Sequence, residues 1–229
     1  MNHTIYNHTD FAPIGCDDCN GCSKCCTDMG ESIVLDPYDM YMLTSNLKLA
    51  GGMPATYEIL TSEDGPLTLA SQNGLILPCI KMVVDEAAPA DAVGTCAFLN
   101  KNGRCSIHKI RTGLCRLYPL GRTYHEDTLS YFVLDDALGC PSNLKTPVKI
   151  EDWIAIPDMD AYEAFLLKWH AIKKSLQSAI CEGASSGQMT MQTVTSIMSR
   201  FLAVFYQKPY GKDFYAEFAA RVSLWEKGI

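Results

Sequence analysis

Five cysteines fall within eleven residues: Cys16, Cys19, Cys22, Cys25 and Cys26, spaced C-x2-C-x2-C-x2-C-C. Consecutive positions in so short a run cannot all face one hydrophobic interior, so core packing does not explain it. Two residues between cysteines let both sulfurs turn into one loop, where backbone N–H groups face the anionic sulfur. Thiolates are soft donors that suit zinc, Cu(I) and iron–sulfur clusters. The run therefore calls for a fold that closes around an inorganic centre.

The remaining composition narrows the setting. A chain of 229 residues with 48% hydrophobic and 20% charged residues can bury a full core. Its net charge of −7 speaks against a nucleic-acid partner or an anionic membrane surface. Met1 to Phe11 show neither a basic stretch nor an apolar one, so no secretory signal is visible, and no apolar run reaches a membrane span. A reducing cytoplasm is the expected compartment, where clustered cysteines are metal ligands or redox groups rather than structural bridges. The sequons at Asn2 and Asn7 would matter only in a secreted chain.

The pattern along the chain predicts an α+β protein: an irregular cysteine-rich metal-binding region with short strands, then a C-terminal three-helix segment. Residues 1–15 read as a flexible lead-in, 16–149 as the cysteine-cluster region, and 150–229 as helices packed on it in one compact domain. Asp36-Pro37 predicts a helix start, with Asp as N-cap and Pro at the first helical position, ending at Gly51-Gly52. A second short helix is expected from Pro54 to Leu60. Residues 67–84 read as strands, 85–95 as an exposed loop, and 96–106 as a hairpin turning at 100–103. Leu129–Leu134 reads as a strand, and His125, Glu126 and Asp127 as a polar surface loop. Apolar residues at spacings of three and four predict helices over 158–182, 190–206 and 212–225, with Gly183 to Gly187 as a break.

Ten of the eleven cysteines lie between residues 16 and 140. Cys16, Cys19, Cys22 and Cys26 alone read C-x2-C-x2-C-x3-C, the ligand spacing of bacterial iron–sulfur runs, although Thr27 stands where Pro is usual. Adjacent Cys25 and Cys26 are expected to point apart and to serve two irons or two centres. A single zinc would instead take four tetrahedral ligands from separated pairs. Charge suggests which segments meet. Residues 10–39 carry seven acids (Asp10, Asp17, Asp18, Asp28, Glu31, Asp36, Asp39) against Lys24, whereas 101–122 carry Lys101, Arg104, Lys109, Arg111, Arg116 and Arg122 with no acid. The basic segment is expected to close over the cysteine loop, with Arg111 and Arg116 offsetting thiolate charge. The competing reading is a solvated basic face or a nucleic-acid patch.

Taken together, Cys19-x2-Cys22-x2-Cys25-Cys26, Cys96-Ala-Phe-Leu, Gly103-Arg-Cys105-Ser-Ile, Arg111 and Cys115-Arg116-Leu-Tyr-Pro119 resemble the CxxCxxCC family, the YkgJ-type cysteine-cluster, zinc- or iron-chelating domain. The resemblance covers roughly residues 16–141. It implies eight metal ligands, falling here on Cys19, Cys22, Cys25, Cys26, Cys96, Cys105, Cys115 and Cys140, and its relatives include flagellin lysine N-methylases. Two pairs depart from the pattern: Ile107-His108 stands for Ile-Tyr and Arg111-Thr112 for Arg-Pro. His108 is either a nitrogen ligand or a packing replacement, so it ranks with Cys16 and Cys79 as second-tier. Cys79 is either an inert buried thiol or a further ligand, and Cys181 reads as core.

Three functions compete. The first is an iron–sulfur protein with a redox, electron-transfer or metal-handling role and a protein or redox partner. The second is a structural zinc module that binds a partner protein. The third is an accessory to a methylase-like protein-modifying enzyme, for which no S-adenosylmethionine site is recognisable. Thiol–disulfide chemistry at the Cys25–Cys26 pair is a further possibility. No Walker loop, dinucleotide fingerprint, nucleophile elbow or H-E-x-x-H motif is present.

Overall fold

The computed structural model describes residues 3–15, 23–84, 94–134 and 146–228. It is α+β, 45% helical and 22% strand, with helices gathered at the C-terminal end. The chain forms two units, each built from two stretches of sequence. The first takes residues up to Ile33 together with Met82–Leu167, and the second takes Val34–Lys81 together with Lys168–Ile229.

In the first unit, strand β1 (Phe11–Gly15) pairs antiparallel with β8 (Thr146–Lys149), Phe11 opposite Lys149 and Ala12 opposite Val148. Ala12 and Ile14 point inward and are buried while Phe11 is exposed, the alternation of a half-buried strand. The segment expected as a lead-in thus carries a paired strand. Tyr6 also bridges to Tyr131, and His8 lies among Glu151, Asp160 and Glu163, 3.1 Å from the Glu163 carboxylate. The apolar letters that fix this segment number only two, too few for periodicity to reveal.

Strands β6 (Leu120–His125) and β7 (Thr128–Val133) form a hairpin in which Leu120 faces Val133 and His125 faces Thr128. Glu126, at φ 50°, is in the left-handed region that such tight hairpins need. The expected polar loop at His125–Asp127 is therefore the tip of this hairpin. Tyr131, fully buried, donates its hydroxyl to Glu163 at 2.8 Å, tying β7 to helix α5 (Met159–Ser185). Helices α3 (Gly113–Leu117) and α4 (Ile150–Ile154) are joined by polar staples. Arg116, only 6% exposed, donates to the carbonyls of Lys109, Arg111, Ile154 and Ala155 at 2.8–3.2 Å. Trp153 adds its indole N–H to the Tyr118 carbonyl at 3.0 Å.

In the second unit, helix α1 (Pro37–Asn46) starts as its sequence predicts, with a reciprocal capping box between Asp36 and Asp39. Helix α2 (Tyr57–Leu60) is shorter than expected and is capped by Thr56 rather than opened by Pro54. Strands β2 (Leu67–Gln72) and β3 (Leu75–Ile80) form a hairpin across Asn73-Gly74, both at positive φ. Helix α5 runs through Gly183 to Ser185, and the turn comes at Gly187, whose φ of 69° suits a left-handed helix end. Helix α6 (Met191–Leu202) passes into a π turn, Ala203–Gln207, and α7 (Phe214–Glu226) follows with Asp213 as cap. Trp169 stacks on Phe201 at 5.3 Å and meets Phe205 edge-on, so the aromatic stripes are core. Arg221 repeats the staple of the first unit, donating to the carbonyls of Val204, Lys208 and Pro209 while lying 3.5 Å over the Tyr210 ring. Among the described residues no helix is long and apolar enough to cross a membrane.

Candidate metal centre

Lys24–Cys26 make one 3-10 turn, and the chain then extends through Thr27. Thr27 bridges antiparallel to Thr95, and the Asp28 amide donates to Gly94 at 3.1 Å. On its other side Thr95, in β5 (Thr95–Cys96), pairs with Val83 of β4 (Met82–Val83), and Cys96 pairs with Met82. Antiparallel register then sets Cys26 opposite Cys96, one residue back from Thr27 and one on from Thr95. Backbone pairing thus joins the N-terminal loop to a cysteine seventy residues away. The expected hairpin turning at 100–103 is present: Leu99 bridges to Cys105, and the Asn100 and Ser106 amides donate to the Arg104 and Phe98 carbonyls at 2.9 and 2.8 Å, while Cys96 pairs with Met82 of β4.

The thiols follow this frame. Cys25 Sγ and Cys26 Sγ lie 4.0 Å apart, and Cys26 also reaches hydrogen-bonding contact with Cys96. Cys26 thus lies between the other two sulfurs. Its hydrogen bond brings the Cys25 thiol down from 9.0 to about 7, against the opposing effect of burial, with Arg111 helping. The same thiol brings Cys96 down to about 7, and the Phe98 amide adds a bond at 3.4 Å. Cys26 itself is pushed far up, since both flanking sulfurs favour keeping its proton. Expected to point apart, Cys25 and Cys26 instead turn their sulfurs into one cluster, because the 3-10 turn advances each residue by only a third of a turn.

Cys105 lies near enough to feel Cys96, Cys25 and Arg111, and burial raises its thiol. Its sulfur accepts from the amide two residues on, Ile107, as Cys96 does from Phe98. This recurring contact was legible as Cys96-Ala-Phe and Cys105-Ser-Ile, a cysteine followed two positions later by a buried apolar residue that anchors the amide. Such donors stabilise the anionic sulfur that binds metal.

Of the two arginines expected to offset thiolate charge, Arg111 does so at Cys25 and Cys105. Arg116 has its donors on four backbone carbonyls and serves as a staple for the turn that carries Arg111. His108 Nε2 lies 3.1 Å from Arg111 Nη1; a guanidinium only donates, so this nitrogen accepts. That contact orients Arg111 and gives the histidine a positioning place. Cys115, half-buried, is on α3 between Arg111 and the staple. The Thr112 hydroxyl in the same segment is buried without a hydrogen-bond partner among the described residues.

Cys79 is fully buried in β3 of the second unit. Cys181, expected in the core, is exposed, because it sits one residue past the buried Leu176–Ile180 stripe of α5. Cys16, Cys19, Cys22 and Cys140 lie outside the described residues. Among the described residues, no three His, Cys, Asp or Glu side chains by themselves form a group that could hold an ion. The clustered thiols are a partial donor set. They fit a metal in one measurable respect: two thiolates on a tetrahedral ion with bonds of about 2.3 Å stand about 3.8 Å apart, close to the Cys25–Cys26 separation.

Against known protein families, residues 18–132 match CxxCxxCC, described as "Putative zinc- or iron-chelating domain". No curated protein and no solved structure matches the chain.

Proposed function

This chain belongs to the CxxCxxCC family, whose match spans half of its residues, and on that premise we propose that Cys25 and Cys26 ligate one and the same metal ion. The family is described as zinc- or iron-chelating, and that description supports metal binding here. The observation that carries the finer reading is the 4.0 Å Cys25–Cys26 separation, with Cys96 in contact with Cys26. The described side chains do not by themselves form a three-donor group, so Cys96, already beside Cys26, would have to move in as the third ligand. A thiol of the Cys19-x2-Cys22 pair completes a tetrahedron, and Arg111 offsets the surplus negative charge. The remaining family cysteines, with Cys115 and Cys140 among them, hold the rest of the centre.

The bound ion supplies crosslinks between segments that share little secondary structure: the 3-10 turn, β5 and the turn at Cys105. Zinc in such a role contributes directly to folding. An iron–sulfur centre with a redox role is the second reading, favoured by the C-x2-C-x2-C-x3-C spacing from Cys16 to Cys26. In either case the chain acts in the cytoplasm with a protein partner.

Proton linkage tests the assignment. Thiolates bind metal, so every ligand still protonated must lose its proton on binding. Cys25 and Cys96, brought down to about 7, are mostly thiolates above that pH and thiols below it, whereas both flanking sulfurs push the Cys26 thiol up. The plot of log affinity for zinc against pH should therefore be steeper below about pH 7 than above it, by about two protons per ion. Competition titrations with a chromogenic chelator between pH 6 and 8.5 measure this. A slope that stays constant through pH 7 contradicts a ligand set that contains two thiols lowered to about 7.

A further inference from the structure

The register that brings Cys26 and Cys96 together also fits them for a second chemistry. Thr27 opposite Thr95, with the Asp28 amide bonded to Gly94, makes residues 28 and 94 a hydrogen-bonded antiparallel pair. Cys26, whose amide closes the 3-10 turn on the Ser23 carbonyl at 2.8 Å, and Cys96 come next on the two sides of that bridge, and their sulfurs reach hydrogen-bonding contact. Two thiols held in such contact need only a small side-chain movement to join, and the bond that forms is undone by thiol–disulfide exchange.

We infer that a peroxide converts Cys26 and Cys96 into a reversible cross-strand disulfide that releases the metal. The release step rests on the function proposed above; the disulfide itself does not. Cys26 and Cys96 are buried, and Cys25 is the more exposed sulfur of the three. Peroxide oxidises Cys25 first: the thiolate attacks one oxygen, the O–O bond breaks, and hydroxide leaves from a sulfenic acid. Cys26, 4.0 Å away, displaces water from that sulfenic acid and forms a disulfide with Cys25. Adjacent cysteines close a tight ring, so Cys96 attacks the Cys26 sulfur and returns Cys25 as thiolate. In sum two thiols and one hydrogen peroxide give one disulfide and two waters. The cluster loses two of its thiolates at once, which leaves too few donors to retain the ion.

The test uses the full chain, reduced and stripped of metal, exposed without oxygen to one equivalent of hydrogen peroxide. After acid quench and digestion without reductant, tandem mass spectrometry should find Cys26 joined to Cys96, and dithiothreitol should reverse the link. In Cys96→Ser the reaction should stop at a Cys25–Cys26 bond. A dominant link elsewhere, or Cys25 driven to sulfinic acid with no bridge, overturns the inference. A parallel arm loads zinc first and follows its release with a chromogenic chelator, which should rise in step with the Cys26–Cys96 link. A chain that forms the link yet never takes up zinc counts against the proposed metal centre and leaves the disulfide standing. A chain that binds zinc but forms no such link, loaded or stripped, has the opposite meaning.

Discussion

Cys26→Ser should lower zinc affinity by about a hundredfold to a thousandfold. A structural zinc is worth roughly 10–16 kcal/mol over four ligands, so each thiolate carries about 2.5–4 kcal/mol of it. Cys26 is the most costly thiolate to remove because it touches both neighbours, Cys25 across 4.0 Å and Cys96 across the strand pair. Serine keeps the size of the side chain and removes the soft donor. The comparison variant is Cys181→Ser, since that thiol is exposed on α5 in the second unit. Equal zinc retention by Cys26→Ser and the parent in a chelator competition would remove Cys26 from the ligand set. Thermal melts should separate the pair as well, with Cys26→Ser melting at lower temperature in the presence of zinc.

Arg116→Leu should destabilise the first unit by about 3 kcal/mol, through a mechanism unrelated to metal. Its guanidinium, 6% exposed, satisfies carbonyls at the end of the 3-10 turn 108–110 and at the end of α4. Buried acceptors left without a donor cost about 1–3 kcal/mol each, and those near solvent recover part of that from water. Arg116→Lys should recover little, because one ammonium cannot span carbonyls on both sides. Urea unfolding, with and without zinc, reads the effect. A loss under about 1 kcal/mol in Arg116→Leu would mean that the carbonyls are well solvated and the staple is incidental. The same variant should loosen the grip on Arg111, whose carbonyl is one of the four partners.

Much of this was legible in the letters, and the failures are informative. The capping box at Asp36 and the three long helices came from local rules, N-cap chemistry and apolar spacing, which tertiary context left alone. Strand β1 was not legible, since two inward residues and two prolines in the β1–β8 pair give no periodic signal. Hairpin β6–β7 was hidden by polar letters at its tip, where a left-handed Glu126 makes the turn without glycine. Opposite charge suggested that the basic segment meets the cysteine loop; the observed joint is a backbone bridge, Thr27 to Thr95, which charge counting cannot see. Arg111 and Arg116 read alike in sequence, yet one faces sulfur and the other carbonyl oxygen. Only burial separates them. Cys25 and Cys26 turn their sulfurs to within 4.0 Å because they share a 3-10 turn, a backbone state that two adjacent letters do not specify.

The most direct measurement is the metal content of the whole chain, purified without oxygen in the absence of chelators. Zinc, iron and acid-labile sulfide are counted per chain, and the visible spectrum is recorded. The account predicts firmly held zinc or iron in at least equimolar amount, with labile sulfide appearing only if the iron–sulfur reading holds. A folded, cooperative-melting protein that carries none of the three, and takes up neither zinc nor ferrous iron when offered, would contradict it.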